Sequence, residues 1–145
     1  MSILLVEDNP NDEALTLRAF KKNNIANDIT VVRDGQEALD YLFGKGQYKD
    51  RDTSQTPQII LLDLKLPKID GIEVLRQIRE NPSTQLLLVV ILTSSKVERD
   101  LIDSYKLGAN SYIQKPVDFN QFTESVRQLG LYWLVINEAP PQMPT

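Results

Sequence analysis

Continuous apolar runs alternate along this chain with stretches in which apolar side chains recur every three or four positions. Ile59-Ile60-Leu61-Leu62 has no polar interruption, the mark of a strand buried on both faces, as in the middle of a parallel sheet. Ile3-Leu4-Leu5-Val6 repeats the pattern near the start, and the apolar run from Leu86 to Leu92 predicts a third such strand. Ile29-Thr30-Val31-Val32 alternates more and is bounded by Asp28 and Arg33, which predicts an exposed edge strand. Ser111-Tyr112-Ile113-Gln114 is a short fifth.

Helical spacing fills the intervals. Asn9 reads as an N-cap and Pro10 suits the first helical position, while Asp12 and Glu13 favour the positive end of the helix dipole. This helix is predicted to run to about Lys22, with Ala14, Leu17 and Phe20 on its inner side. Asp34 caps a second helix that turns Ala38, Leu39, Leu42 and Phe43 inward and stops at Gly44. The polar stretch from Gly44 to Pro57, with Tyr48 its only aromatic, reads as a long loop that is mobile or meets a partner. Ile72, Leu75 and Ile78 mark a third helix ending at Asn81-Pro82. Ser95 and Glu98 have capping-box spacing for a fourth, which carries Val97, Leu101, Ile102 and Tyr105 and ends at Gly108. Val117 and Phe122 can staple the Asp118/Gln121 box of the last helix, whose apolar side is Phe119, Phe122, Val126 and Leu129. Residues 131–136 add more apolar surface than one helix face needs, which fits a dimer contact as well as a fold back onto the core. Pro140, Pro141 and Pro144 predict a loose end. The reading is therefore one domain over residues 1–136 and a flexible tail over 137–145.

Composition restricts the chemistry. The 145 residues, 41% hydrophobic and 25% charged, suit one ordinary globular domain. No apolar run is long enough to span a bilayer, and Met1 is followed by neither a basic region nor a cleavage site, so a soluble, cytoplasmic protein is expected. With no cysteine and no histidine, disulfides, thiol catalysis, imidazole bases and their metal sites are excluded, and any phosphohistidine must come from a partner. A formal net charge of −4 argues against a dedicated nucleic-acid or anionic-membrane binder.

Four of the strands run into polar groups: Glu7-Asp8, Asp63, Thr93 and Lys115. Asn9 already supplies the cap after the first strand, and Ser95 the cap after the fourth. Glu7, Asp8 and Thr93 are left without a structural role. Right-handed crossovers bring all four strand ends to one sheet edge, where open α/β sheets bind their ligands. Three clustered carboxylates repel one another and call for a hard divalent cation, Mg²⁺ in octahedral oxygen coordination. A carboxylate can take a phosphoryl group as a mixed anhydride, while the metal and the Lys115 ammonium neutralise the transferring oxygens. The Thr93 hydroxyl could then hydrogen-bond a phosphate oxygen.

The motifs Leu5-Val6-Glu7-Asp8-Asn9, Leu61-Leu62-Asp63-Leu64 with Leu66-Pro67 and Asp70-Gly71, Leu92-Thr93-Ser94, Gly108-Ala109-Asn110, and Tyr112 through Lys115-Pro116 together resemble a response-regulator receiver domain over essentially the whole chain. The resemblance implies a flavodoxin-like, doubly wound, five-stranded parallel sheet of order 2-1-3-4-5 with five helices. It implies Asp63 as phosphoacceptor, Thr93 and Lys115 beside it, and Mg²⁺ held by Glu7, Asp8, Asp63 and the Lys65 backbone carbonyl. It further implies a cis Lys115-Pro116 bond and a switch in which Thr93 is drawn to the phosphate and Tyr112 turns inward.

Asp8-Asn9-Pro10, Asp40-Tyr41-Leu42, the long loop before Pro57, Lys115-Pro116-Val117-Asp118-Phe119 and the Tyr132-Trp133 tail are similar to small stand-alone regulators paired with phytochrome-type histidine kinases. That similarity implies a histidine kinase partner and light signalling, although regulators of this shape also serve other sensor kinases. The signal is expected to leave through protein contacts, by relay to a histidine phosphotransfer protein or direct binding of a target, with a homodimer through the C-terminal region. The expected chemistry is confined to the protein's own phosphorylation and dephosphorylation. Two other readings share some of these residues. A haloacid-dehalogenase-type phosphatase generally has an acid two residues after its nucleophile, a position held here by Lys65. A degenerate receiver that only binds partners is opposed by the presence of Glu7, Asp8, Asp63, Thr93 and Lys115.

Overall fold

Five parallel strands form one sheet in the order β2-β1-β3-β4-β5: β1 is Ser2–Val6, β2 Asp28–Val32, β3 Ile59–Asp63, β4 Val89–Thr93 and β5 Ser111–Gln114. The computed structural model describes residues 2–22, 28–93 and 106–129. Among these, the helices are α1 Pro10–Lys22, α2 Gly35–Phe43, α3 Gly71–Glu80 and α4 Phe119–Gln128. The helix expected between Ser95 and Gly108 falls almost wholly outside the described residues. So do residues 131–136, the tail, and with them the expected dimer contact.

Burial follows the hydrophobic pattern. Every residue of β3 is buried, because β1 and β4 flank it and helices cover both its faces. The two-residue period of the strands sends alternate side chains to two cores. Leu4, Val6, Ile60, Leu62 and Ile91 meet Ala38, Leu39 and Leu42 of α2 and Val74, Leu75 and Ile78 of α3. Ile3, Leu5, Ile59, Leu61, Val90 and Leu92 meet Phe20 of α1 and Phe122 and Val126 of α4, with the two phenylalanine rings 4.6 Å apart. Each of these valine, leucine, isoleucine and phenylalanine side chains contributes about 1.5–3 kcal/mol on burial. Among the described residues, the β2 strand pairs only with β1, and it stays partly exposed, as its alternation predicts.

The caps at Asn9, Asp34 and Asp118 lie where the sequence puts them, and the structure adds one at Asp70. Asn9 Oδ1 accepts from the amides of Asn11 and Asp12 at 2.8 and 3.1 Å. Asp34 accepts from Glu37 at 2.7 Å, Asp70 from Glu73 at 2.9 Å and Asp118 from Gln121 at 2.8 Å. Gly44 ends α2 in the left-handed conformation, φ 66°. Asp70 caps the helix that follows the β3 loop, so Asp70→Ala is expected to cost about 1 kcal/mol. Equilibrium urea denaturation should show a lower midpoint with an unchanged slope.

Three expectations are corrected. The apolar run before β4 overshoots the strand: Leu86 is 87% exposed and pairing starts at Val89. A turn intervenes, held by the amides of Thr84 and Gln85 on Asn81 O and by the buried Thr84 hydroxyl on Ile78 O at 2.7 Å. In α1, Ala14 is exposed and Thr16 is buried instead. At 100° per residue Ala14 lies about 120° round the helix from Phe20, whereas Thr16 and Leu17 flank it. The loop over residues 44–57 is folded onto α2: Tyr48 Oη donates to Glu37 at 2.7 Å, its ring stands edge-on to Tyr41, and Arg51 lies 4.0 Å over the Tyr41 ring.

The Gly108-Ala109-Asn110 motif has a tertiary explanation. The Arg79 guanidinium of α3 donates to the carbonyls of Gln85, Leu87 and Gly108 and to Asn110 Oδ1, and that oxygen also accepts from Val89 N at 2.8 Å. One side chain thus ties α3 to the entries of β4 and β5.

Candidate phosphoacceptor and metal site

The carboxyl ends of β1, β3 and β5 converge. Glu7 follows β1, its amide still bonded to Val32 O at 3.0 Å, and its side chain is buried. Asp63 is the last residue of β3 and 5% exposed. Lys115 follows β5, and its peptide bond to Pro116 is cis. Lys115 Nζ lies 2.6 Å from Asp63 Oδ2, 2.7 Å from Glu7 Oε1 and 3.0 Å from Asp12 Oδ2. One oxygen each from Glu7, Asp8 and Asp63 lies within 4.8 Å of the others.

The backbone around Asp63 is closely confined. Lys65 N donates to Asp63 Oδ1 at 3.0 Å, and Gly71 N donates to Leu64 O at 2.9 Å, drawing the start of α3 against the end of β3. A Cβ on Gly71 would sit 2.2 Å from Asp63 O, so no side chain fits there. Farther along, Lys68 takes a left-handed φ of 67° and its ammonium pairs with Asp34 at 3.4 Å, fastening the loop to the start of α2.

The site is short of positive charge. Burial first and the neighbouring Asp63 second, against the opposing pull of Lys115, leave the Glu7 carboxyl pushed up to about 8. For Lys115, burial alone lowers the pKa, but the neighbouring acids Asp63, Glu7 and Asp12 reverse this and leave it well above the usual lysine range. Among the described residues, a single ammonium faces the four carboxyl groups of Glu7, Asp8, Asp12 and Asp63. Glu7 Oε1, though in ion-pair contact with Lys115, is buried without an aligned hydrogen-bond donor. The donor set, all carboxylate oxygen, with one buried oxygen still lacking a donor, fits a hard divalent cation.

The structure therefore brings together four of the residues singled out in the sequence: Glu7, Asp8, Asp63 and Lys115. Lys65 occupies the turn beside them. Thr93 ends β4, the strand next to β3, in register with Gln114. Tyr112 lies farther back on β5, opposite Ile91 and 47% exposed. Asp12 was missed as a site residue, because its place in the first turn of α1 explained it as a dipole partner. Its position four residues after Asp8, about one helical turn, was the available signal.

A partly buried carboxyl cluster with the Lys115 ammonium beside it, at the carboxyl edge of a 2-1-3-4-5 sheet, is the layout of an aspartate-centred signalling domain. This chain belongs to the response regulator receiver domain family, whose model matches residues 3–127, and is a response regulator of the two-component type. It is 51% identical to the bacteriophytochrome response regulator AtBRR, whose structure matches with a TM-score of 0.83 over 91% of this chain and 94% of that one. Response regulator Rcp1 of Synechocystis sp. is 39% identical over 91% of this chain and 88% of Rcp1. The Mn²⁺-bound structure of Rcp1 matches at 37% identity with a TM-score of 0.76, over 97% of this chain and 99% of that one. The probable methanogenesis regulatory protein FilR2 of Methanothrix harundinacea is 40% identical over 95% of this chain and 86% of FilR2. Among the described residues, no helix is long and apolar enough to cross a membrane.

Proposed function

We propose that this regulator accepts a phosphoryl group on Asp63 from a phosphohistidine of a partner kinase and signals by the resulting change in shape. The carrying observation is the Lys115 ammonium, 2.6 Å from Asp63 inside the carboxylate cluster. A carboxylate oxygen of Asp63 attacks phosphorus, the donor's N–P bond breaks, and the electron pair leaves with the imidazole. The product is an acyl phosphate. Lys115 balances charge on the transferring oxygens and on Glu7. Mg²⁺, when held by Glu7, Asp8, Asp63 and the Lys65 carbonyl, would supply the remaining countercharge; the Mn²⁺-bound form of the similar Rcp1 supports a divalent ion.

Phosphorylation is read out through Thr93, whose strand adjoins that of Asp63, and Tyr112, which is half exposed in this conformation. The Thr93 hydroxyl binds a phosphoryl oxygen and the tyrosine turns inward, reshaping the surface around β5. Thr93→Ala is expected to erase the difference in partner affinity between the free and phosphorylated forms. An undiminished difference would refute the switch.

Similarity to the bacteriophytochrome response regulator AtBRR supports a phytochrome-type histidine kinase as the donor, and the proposed setting is the cytoplasm. The output is a protein contact, either a histidine phosphotransfer protein or a direct target, with a homodimer through the C-terminal region. The protein turns over no external substrate. FilR2 is about as similar to this chain as Rcp1 is, at 40% against 39% identity, so phosphotransfer from a phytochrome-type kinase and from a kinase of another input, run side by side, tests the partner.

The chemistry is tested by intact-protein mass after incubation with acetyl phosphate and Mg²⁺. One added phosphoryl group is expected, and none when EDTA removes the metal. An adduct indifferent to EDTA, or no adduct from either acetyl phosphate or a phosphorylated kinase, would overturn the reading. Repeated turnover of a generic phosphate ester would favour the phosphatase instead.

A further inference from the structure

Lys115 Nζ has three carboxyl groups within 3.0 Å, those of Asp63, Glu7 and Asp12, and donates aligned hydrogen bonds to two of them, Asp63 and Asp12. A phosphoryl oxygen arriving at this ammonium competes with them for its N–H groups. The three are not equivalent. Glu7 and Asp63 belong to the carboxylate cluster that fits a cation and are buried on the strand ends, with side chains 0% and 7% exposed. Asp12 stands outside that cluster, on the first turn of α1, makes the longest of the three contacts at 3.0 Å, and has a side chain 29% exposed.

From this arrangement we propose that Asp12 is an exchangeable counter-ion for Lys115. It holds the ammonium hydrogen bond that a phosphoryl oxygen takes, and it yields that bond to solvent when the site is charged. Asp12 is thus a positioning residue that acts through Lys115, and the proposal rests on the reading of Asp63 as phosphoacceptor. Its carboxylate opposes phosphoryl binding in two ways. It competes for the ammonium, and it places a negative charge beside the mouth of a site that must admit an anion. Water can solvate a released Asp12 because the side chain is partly exposed, so the exchange strands no buried charge.

Removing this charge should therefore strengthen the site for its ligand, whereas the loss of a merely structural contact would weaken it. Asp12→Asn keeps the shape and removes the charge; Asp12→Ala removes both charge and hydrogen bond. The test is the affinity for beryllium fluoride, a phosphoryl mimic, followed by fluorine NMR on the full chain at saturating Mg²⁺. Urea midpoints confirm that each variant is folded. Both variants are expected to bind the mimic roughly threefold to tenfold more tightly than the wild type, with the gain shrinking as salt is added. Unchanged or weaker binding in both variants would overturn the role of Asp12. A wild-type protein that fails to bind the mimic, or binding that survives Asp63→Asn, would overturn the phosphoacceptor reading instead.

Discussion

Asp63→Asn is expected to remove phosphoryl acceptance altogether. An amide oxygen is too weak a nucleophile to form the acyl phosphate, so the adduct should fall below detection, by at least about 100-fold in initial rate. The fold should survive, because Lys115 keeps Glu7 and Asp12 as partners at 2.7 and 3.0 Å and the site loses one of its mutually repelling acids. Divalent-ion affinity should drop by roughly tenfold or more with the loss of one carboxylate ligand. Intact mass and circular dichroism on the same sample check both parts. An adduct that persisted at wild-type rate would place the acceptor elsewhere.

Gly71→Ala is expected to be the most damaging small change near the site. The added Cβ would stand 2.2 Å from Asp63 O and 2.7 Å from Leu64 Cα, and both of these are backbone atoms that no rotamer change can move aside. Either the end of β3 or the start of α3 must shift, breaking the Gly71 N to Leu64 O bond at 2.9 Å. We expect a loss of about 2–4 kcal/mol, measured by urea denaturation, and slower phosphorylation at a temperature where the variant is folded. The two effects share one cause, since the displaced backbone carries the Asp63 carboxylate with it. A midpoint indistinguishable from wild type would show that the junction is more accommodating than its spacing indicates.

Local pattern determined a large part of this protein. An uninterrupted apolar run such as Ile59-Ile60-Leu61-Leu62 is stable only when both faces are covered, so the central strands could be read without coordinates. Asn9, Asp34 and Asp118 announce helix starts because a short polar side chain can satisfy the free amides of the first turn. Glu7, Asp63 and Lys115 were legible as a site because polar groups that end buried strands of a parallel sheet must share its carboxyl edge.

Tertiary structure decided what depends on contacts between distant segments. The apolar run at Leu86 could not show its own limit, because the turn that cuts it short is closed by Thr84 reaching back to the end of α3. The folding of the 44–57 loop onto α2 rests on Tyr41, Tyr48, Arg51 and Glu37 meeting in space. Asp12 and Lys115 are separated by 103 positions, and an acid in the first turn of a helix is already accounted for by the helix dipole. Its spacing from Asp8 could place it near the site but could not pair it with the lysine. Local sequence sets which groups stand at the end of each element, because backbone geometry has only two short periods; which of those groups share a proton, a cation or an ammonium is set by how the elements pack.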